Sequence, residues 1–193
     1  MAFDPSADAP TQRAPIPSGG AGFVVVTLMV GALVAVGLGV FGSVHEPKFF
    51  SVNFAGFSSG LYAKAWLATL SASLGLFQVF SALVLYGKVP VKAPTWIGAA
   101  HVWSGRLAVL ASVPVAVHCL YAVGFQTADL RVLTHSLLGC FFYGAFVAKM
   151  LMLTRKGVPG WALPVLGGAV FTSLVYLWLT SALWLFVGEG LKF

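Results

Sequence analysis

The chain carries four histidines, and three of them, His101, His118 and His135, fall inside long apolar stretches. Ionisable side chains at bilayer depth are costly and rare, so each is read first as a functional group. His118 lies about six residues before the end of one apolar run, and His135 about five after the start of the next. At 1.5 Å per residue their depths agree to within about a turn. Two imidazoles at one depth on different helices suit the axial positions of a b-type haem iron, whose macrocycle needs apolar walls. On the helical face of His118 lie Pro114, Ala111 and Leu107; on that of His135 lie Gly139, Phe142 and Phe146, a small residue followed by aromatic walls. Arg131, one turn before His135, and Lys64, at the same end of the preceding helices, are cations suited to the haem propionates. On this reading, His118→Ala or His135→Ala abolishes haem binding and His101→Ala spares it.

Other chemistries use the same residues. A histidine inside a helical bundle also serves packing, by hydrogen-bonding a hydroxyl or carbonyl of a neighbour. His45, followed by Glu46 and Pro47, falls at the His118 end. It would replace one haem ligand or complete a three-His copper or zinc site. The loop of about six residues between the two runs favours close helix neighbours, whereas haem ligands must stand apart. His101 lies about 17 residues, or roughly 25 Å, from His118. With Met152 at its depth it could ligate a second haem. With Lys149 and Arg106 it could line a basic pocket for a quinone or an anionic lipid headgroup, or it could simply pack the start of its helix.

The elements that position these residues follow from composition. The 193 residues are 59% hydrophobic and only 8% charged. A water-facing surface needs a charged share near 25%, so a soluble globular fold is excluded. Residues 1–20, rich in Pro, Ala, Ser, Gly and Asp, read as a disordered cytoplasmic tail. Five apolar runs, at about 21–42, 61–86, 96–123, 131–154 and 161–187, are each long enough to cross a bilayer. Residues 21–193 are therefore expected to be an all-α, five-helix transmembrane domain. The first run is apolar throughout apart from Thr27 and is expected to face lipid, outside a four-helix core. The second carries Lys64, Ala68, Ser71, Gly75, Gln78 and Ala82 as a small and polar stripe, and the fifth carries Ser173, Tyr176 and Thr180 on one face. Both patterns belong to helices that pack closely in lipid. The connection 43–60 is long enough for a small lid. Lys and Arg in the short loops place the N-terminus in the cytoplasm and the C-terminus outside.

The runs His101-Val-Trp-Ser-Gly-Arg-Leu-Ala, Pro114-Val-Ala-Val-His-Cys-Leu-Tyr and Arg131-Val-Leu-Thr-His-Ser-Leu-Leu-Gly resemble an uncharacterised bacterial family of five-helix membrane proteins. The resemblance extends to Lys64-Ala-Trp-Leu and Pro159-Gly-Trp-Ala-Leu-Pro. More distantly, a His-x-x-x-Gly start to a helix in a four-helix core is similar to membrane b-type cytochromes and ferric-reductase-like domains. That resemblance implies a bis-His haem on His118 and His135, with His101 at the first motif position. The second and fifth runs hold no His, which departs from the two-haem cytochromes.

Other functions lack their residues. The net charge of +6 is scattered at the ends of apolar runs, so it gives no nucleic-acid surface. Cys119 and Cys140 form neither a disulfide framework nor a metal motif. There is no phosphate loop, dinucleotide fingerprint or Cys-x-x-Cys-His. No acid falls within the spans, which argues against a carboxylate-based proton pump. The expected function is a b-type cytochrome-like electron-transfer subunit of a bacterial plasma membrane. It would hold one haem b near the outer face and serve a redox partner or larger complex on the extracytoplasmic side. A cofactor-free accessory subunit and a His-based copper or zinc site are the alternatives.

Overall fold

A computed structural model describes residues 19–50, 53 and 56–193, so the expected tail lies almost wholly outside the described residues. Among these, the regular structure is all helical. Five spans follow in order: α1 (Gly19–Val44), α2 (Gly60–Leu85), α3 (Ile97–Val123), α4 (Leu130–Met152) and α5 (Ala162–Glu189). All five are long and apolar enough to cross a bilayer, which makes the chain a multi-pass membrane protein. Two spans change pitch near one end. α3 widens to a π-helix over His118–Val123, and α5 does so over Leu179–Leu183 before resuming as Trp184–Glu189.

The caps are legible in residue type. Asp129 accepts a hydrogen bond from the Val132 amide at 2.8 Å and starts α4, and Ser59 does the same for Tyr62 at the start of α2. α3 stops at Gly124, whose φ of +77° suits glycine, and a Cβ there would meet the Gly42 carbonyl oxygen at 3.1 Å.

Helices α2–α5 form the core, with α2 packed on α3 and α5, and α5 packed on α4. The stripe on α2 is their seam: Ser71 Oγ donates to the Ala108 carbonyl at 2.8 Å, and Gly75 admits Leu174 and Phe171. α1 lies outside the core, against α4. It is not a bland lipid-facing helix, however. A Cβ on Gly31 would stand 2.6 Å from the Gly144 carbonyl oxygen, so two glycines let the backbones touch. Thr27, expected to face lipid, is buried at 2% exposure beside Met152 and donates to the Val24 carbonyl at 2.9 Å.

The short α3–α4 loop does not make those helices a packed pair. α3 leans on α2, while α4 is held by α1 and α5. Ser112 Oγ and Tyr143 Oη, 2.9 Å apart, tie α3 to α4 across the intervening space.

Candidate functional site

That space is a cavity of about 350 Å³ bounded by α2, α3, α4 and α5. Its size falls in the range of small-molecule sites. The walls are mostly apolar, with small side chains from Ala65, Ala68, Ala116 and Gly139 and aromatic ones from Phe142 and Trp178. Lys64, Arg131 and His135 all reach it, so three residues singled out by type and spacing share one site. Both π-helical segments border it: α3 contributes Cys119 and Val123, and α5 contributes Thr180 and Ala182. A π turn inside an α-helix often marks a functional position, because it widens the backbone and frees carbonyl groups.

His135 is held through one ring nitrogen. Its Nδ1 lies 2.8 Å from Thr180 Oγ1. The Thr180 hydroxyl in turn lies 2.8 Å from the Tyr176 carbonyl oxygen, four residues back. A hydroxyl has one proton, and the carbonyl can only accept it, so Thr180 accepts from Nδ1–H. The tautomer deduced from this network leaves Nε2 as a bare acceptor, without a hydrogen-bond partner among the described residues, on a side chain that lines the cavity. A metal-ligating histidine is oriented in the same way, by a hydrogen bond from its other nitrogen.

The cations differ in how they are held. Arg131 Nη1 donates to the Thr180 carbonyl at 2.8 Å, within the π segment, and its guanidinium lies 4.3 Å from the centre of the Trp184 ring. Its other contact, with Asp129, is long at 4.0 Å. Lys64 lines the cavity with no hydrogen bond or ion pair among the described residues.

His118 is not on the cavity wall; its neighbour Cys119 is. One residue turns a helix by about 100°. The cavity face of α3 runs through Ser112, Ala116, Cys119 and Val123 instead. The His118 ring stands edge-on to Phe50 at 5.9 Å, in an aromatic cluster with Tyr121. His45 belongs to that cluster too, stacked between Phe41 at 5.0 Å and Tyr121 at 4.4 Å. Its Nε2 is buried without a hydrogen-bond partner among the described residues. Among these residues no three His, Cys, Asp or Glu side chains converge to hold a metal ion, so His45, His118 and His135 do not assemble a three-His centre.

At the other end of the core, His101 repeats the anchoring. Its Nδ1 lies 2.8 Å from Ser81 Oγ, which donates to the Phe77 carbonyl at 2.7 Å. Met152 does not join it. That side chain is 1% exposed in a cluster with Val24, Ala148, Ala162 and Leu166, so a His101–Met152 pair is not formed.

A b-type haem is thus accommodated in part. The residues supply one oriented imidazole, two cations for propionates and apolar walls, but not a second imidazole. Thr180 and Cys119 were not read from the sequence as site residues. Thr180 had a signal, since it shares a face with Ser173 and Tyr176, whereas the π turns that turn Thr180 and Cys119 toward the cavity have none. No curated protein and no solved structure matches the chain. Residues 24–193 match the model of the family of unknown function DUF6529, and the chain belongs to that family.

Proposed function

We propose that the chain is a membrane b-type cytochrome-like electron-transfer subunit, with one haem b in the cavity bounded by α2, α3, α4 and α5. The observation that carries this reading is His135 on the cavity wall, with Nδ1 held by Thr180 and Nε2 without a hydrogen-bond partner among the described residues. A bound haem would supply a one-electron carrier. The chain's own residues do the rest. Thr180 sets the ring's tautomer and direction, and Lys64 and Arg131 balance the propionate charge. The apolar walls keep water from the site. His135 is the single histidine ligand in this arrangement, and His118 serves the aromatic cluster. The Lys and Arg bias of the loops supports a site toward the extracytoplasmic face; in our reading the membrane is a bacterial plasma membrane, and a redox partner or a quinol would meet the site there.

The test is a dithionite-reduced minus oxidised spectrum of the detergent-purified full chain, with pyridine haemochrome quantification. About one haem b per chain is expected. A flat spectrum from folded protein overturns the reading and leaves a cofactor-free accessory subunit. Copper or zinc without a Soret band would turn it into another metal site.

A further inference from the structure

The cavity has a neighbour on the side of α1. Between α1 and α4 runs a groove of about 430 Å³, lined by Val36, Gly39 and Val40 of α1 and by Leu137 and Phe141 of α4. No charged residue lines it, and its one hydroxyl, Ser43 Oγ, donates to the Gly39 carbonyl at 2.7 Å. The groove and the cavity share two wall residues, Phe125 and Cys140. Those two residues are the partition between a lipid-facing groove and the site inside the core.

The partition is thin for reasons that lie in the backbone. α3 and α4 pack mainly on other helices, so no tight helix seam closes the gap between them. On the α1 side both partition residues face glycines. A Cβ on Gly39 would lie 3.9 Å from Cys140 Sγ, and one on Gly42 would lie 3.4 Å from Phe125 Cβ. The loop itself is fixed. The Phe125 amide donates to the Gly42 carbonyl at 2.7 Å, and the Gln126 amide and carbonyl both bond Ser136 Oγ, at 3.2 and 3.0 Å. Opening therefore calls for rotation of the Phe125 side chain beside a small thiol, a fast motion, and not for movement of the loop.

We infer that the cavity exchanges its contents with the bilayer through this partition, so that its ligand is a lipid-soluble molecule delivered sideways from the membrane. A water-borne ion gains nothing from the route, since no charge lines the groove and bilayer depth is costly for it. A flat apolar body bearing acidic groups is suited to it. Phe125, Ser43, Lys64 and Arg131 all belong to the same end of the helices. The body can slide past Phe125 while its acidic groups stay near the membrane surface and end beside the two cations. The haem reading is needed only to name what passes; the opening rests on the groove and its partition.

Its test reads the two native thiols. Cys140 stands in the partition, and Cys119 lies on the cavity wall without bordering the groove. The cofactor-free full chain in phosphatidylcholine vesicles is treated with N-benzylmaleimide, which dissolves in the bilayer, or with a sulfonated maleimide, which does not. Peptide mass spectrometry gives the rate at each cysteine. Cys119 should react at least about tenfold faster with the apolar reagent, because a sulfonate at bilayer depth is strongly disfavoured. Phe125→Ala should speed that reaction and leave the sulfonated reagent as slow as before. Gly39→Leu, which fills the groove beside Cys140, should slow it. Should Gly39→Leu not fold, Phe125→Ala decides. Equal rates for the two reagents, no reaction at Cys119, or an apolar rate that Phe125→Ala leaves unchanged overturns the lateral opening. Haem added to the vesicles should protect Cys119. Labelling that haem does not slow, in a chain that otherwise behaves as expected, overturns the haem reading and leaves the opening standing.

Discussion

The two ends of the four-helix core hold their histidines by the same device. At one end His135 gives its Nδ1 proton to Thr180, whose hydroxyl proton is committed to the carbonyl four residues back. At the other, His101 does so with Ser81. Each ring therefore turns a bare Nε2 away from its anchor. What differs is the space around it. Near His135 the helices widen into π turns and leave a cavity of about 350 Å³. Near His101 the amide of Gln78 fills the room beside Gly105. Anchoring alone does not open a cavity; a wall of small residues on three other helices does.

The contrast can be broken most directly by removing each ring. His135→Ala should take haem content to background, while His101→Ala should leave the Soret band at full height. His118→Phe should also retain it, because that ring packs on Phe50 and not on the cavity wall. Loss of haem in His118→Phe would mean that the end of α3 turns by a residue when the cofactor binds. The single-imidazole arrangement would then give way to a bis-His one.

The anchors sharpen the same contrast. Thr180→Val keeps the side chain's shape and removes the acceptor for Nδ1–H. Loss of such an orienting hydrogen bond costs about 10–100-fold in affinity, so a haem titration of the apoprotein should show a weakening of that order. Ser81→Ala removes the matching anchor of His101 and should cost only about 1 kcal/mol of stability, with an unchanged spectrum. If both variants shift the spectrum equally, the two ends are functionally alike and the cavity is not the deciding feature.

The sequence made some of this legible for physical reasons. Span positions follow from hydropathy, which is why a run expected at 96–123 is the helix Ile97–Val123. Lys64, Arg131 and His135 share a site because charge at bilayer depth has few places to go. The position of His118 could not be read in the same way. A depth argument fixes height along a helix but not direction around it, and one residue separates the wall at Cys119 from the cluster at Phe50. The seam between α1 and α4 was hidden for a related reason. Gly31 and Gly144 look like ordinary members of apolar runs until the two backbones are seen to cross. Partner choice also escapes local sequence, since α3 and α4 follow each other in the chain but pack mainly on other helices.

The smallest expected effect tests the packing difference itself. Gly105 and Gly139 are both helical glycines of the core, so alanine at either gains about 1 kcal/mol of helix propensity. At Gly139 the new methyl would meet only Leu177 Cδ2 at 3.9 Å, an ordinary contact on the cavity wall. That substitution should raise the melting temperature of the cofactor-free chain. At Gly105 the methyl would stand 3.0 Å from Gln78 Oε1 and 3.2 Å from its Cδ. The amide cannot retreat freely, because its Nε2 is bonded to Ser104 and to the His101 carbonyl. Displacing it loses about 1–2 kcal/mol of hydrogen bonding and close packing, which offsets or exceeds the propensity gain. Thermal unfolding in detergent should therefore show Gly139→Ala above Gly105→Ala, with the unaltered chain between them. A Gly105→Ala chain as stable as Gly139→Ala would mean that Gln78 yields, and that the His101 end is as open as the His135 end.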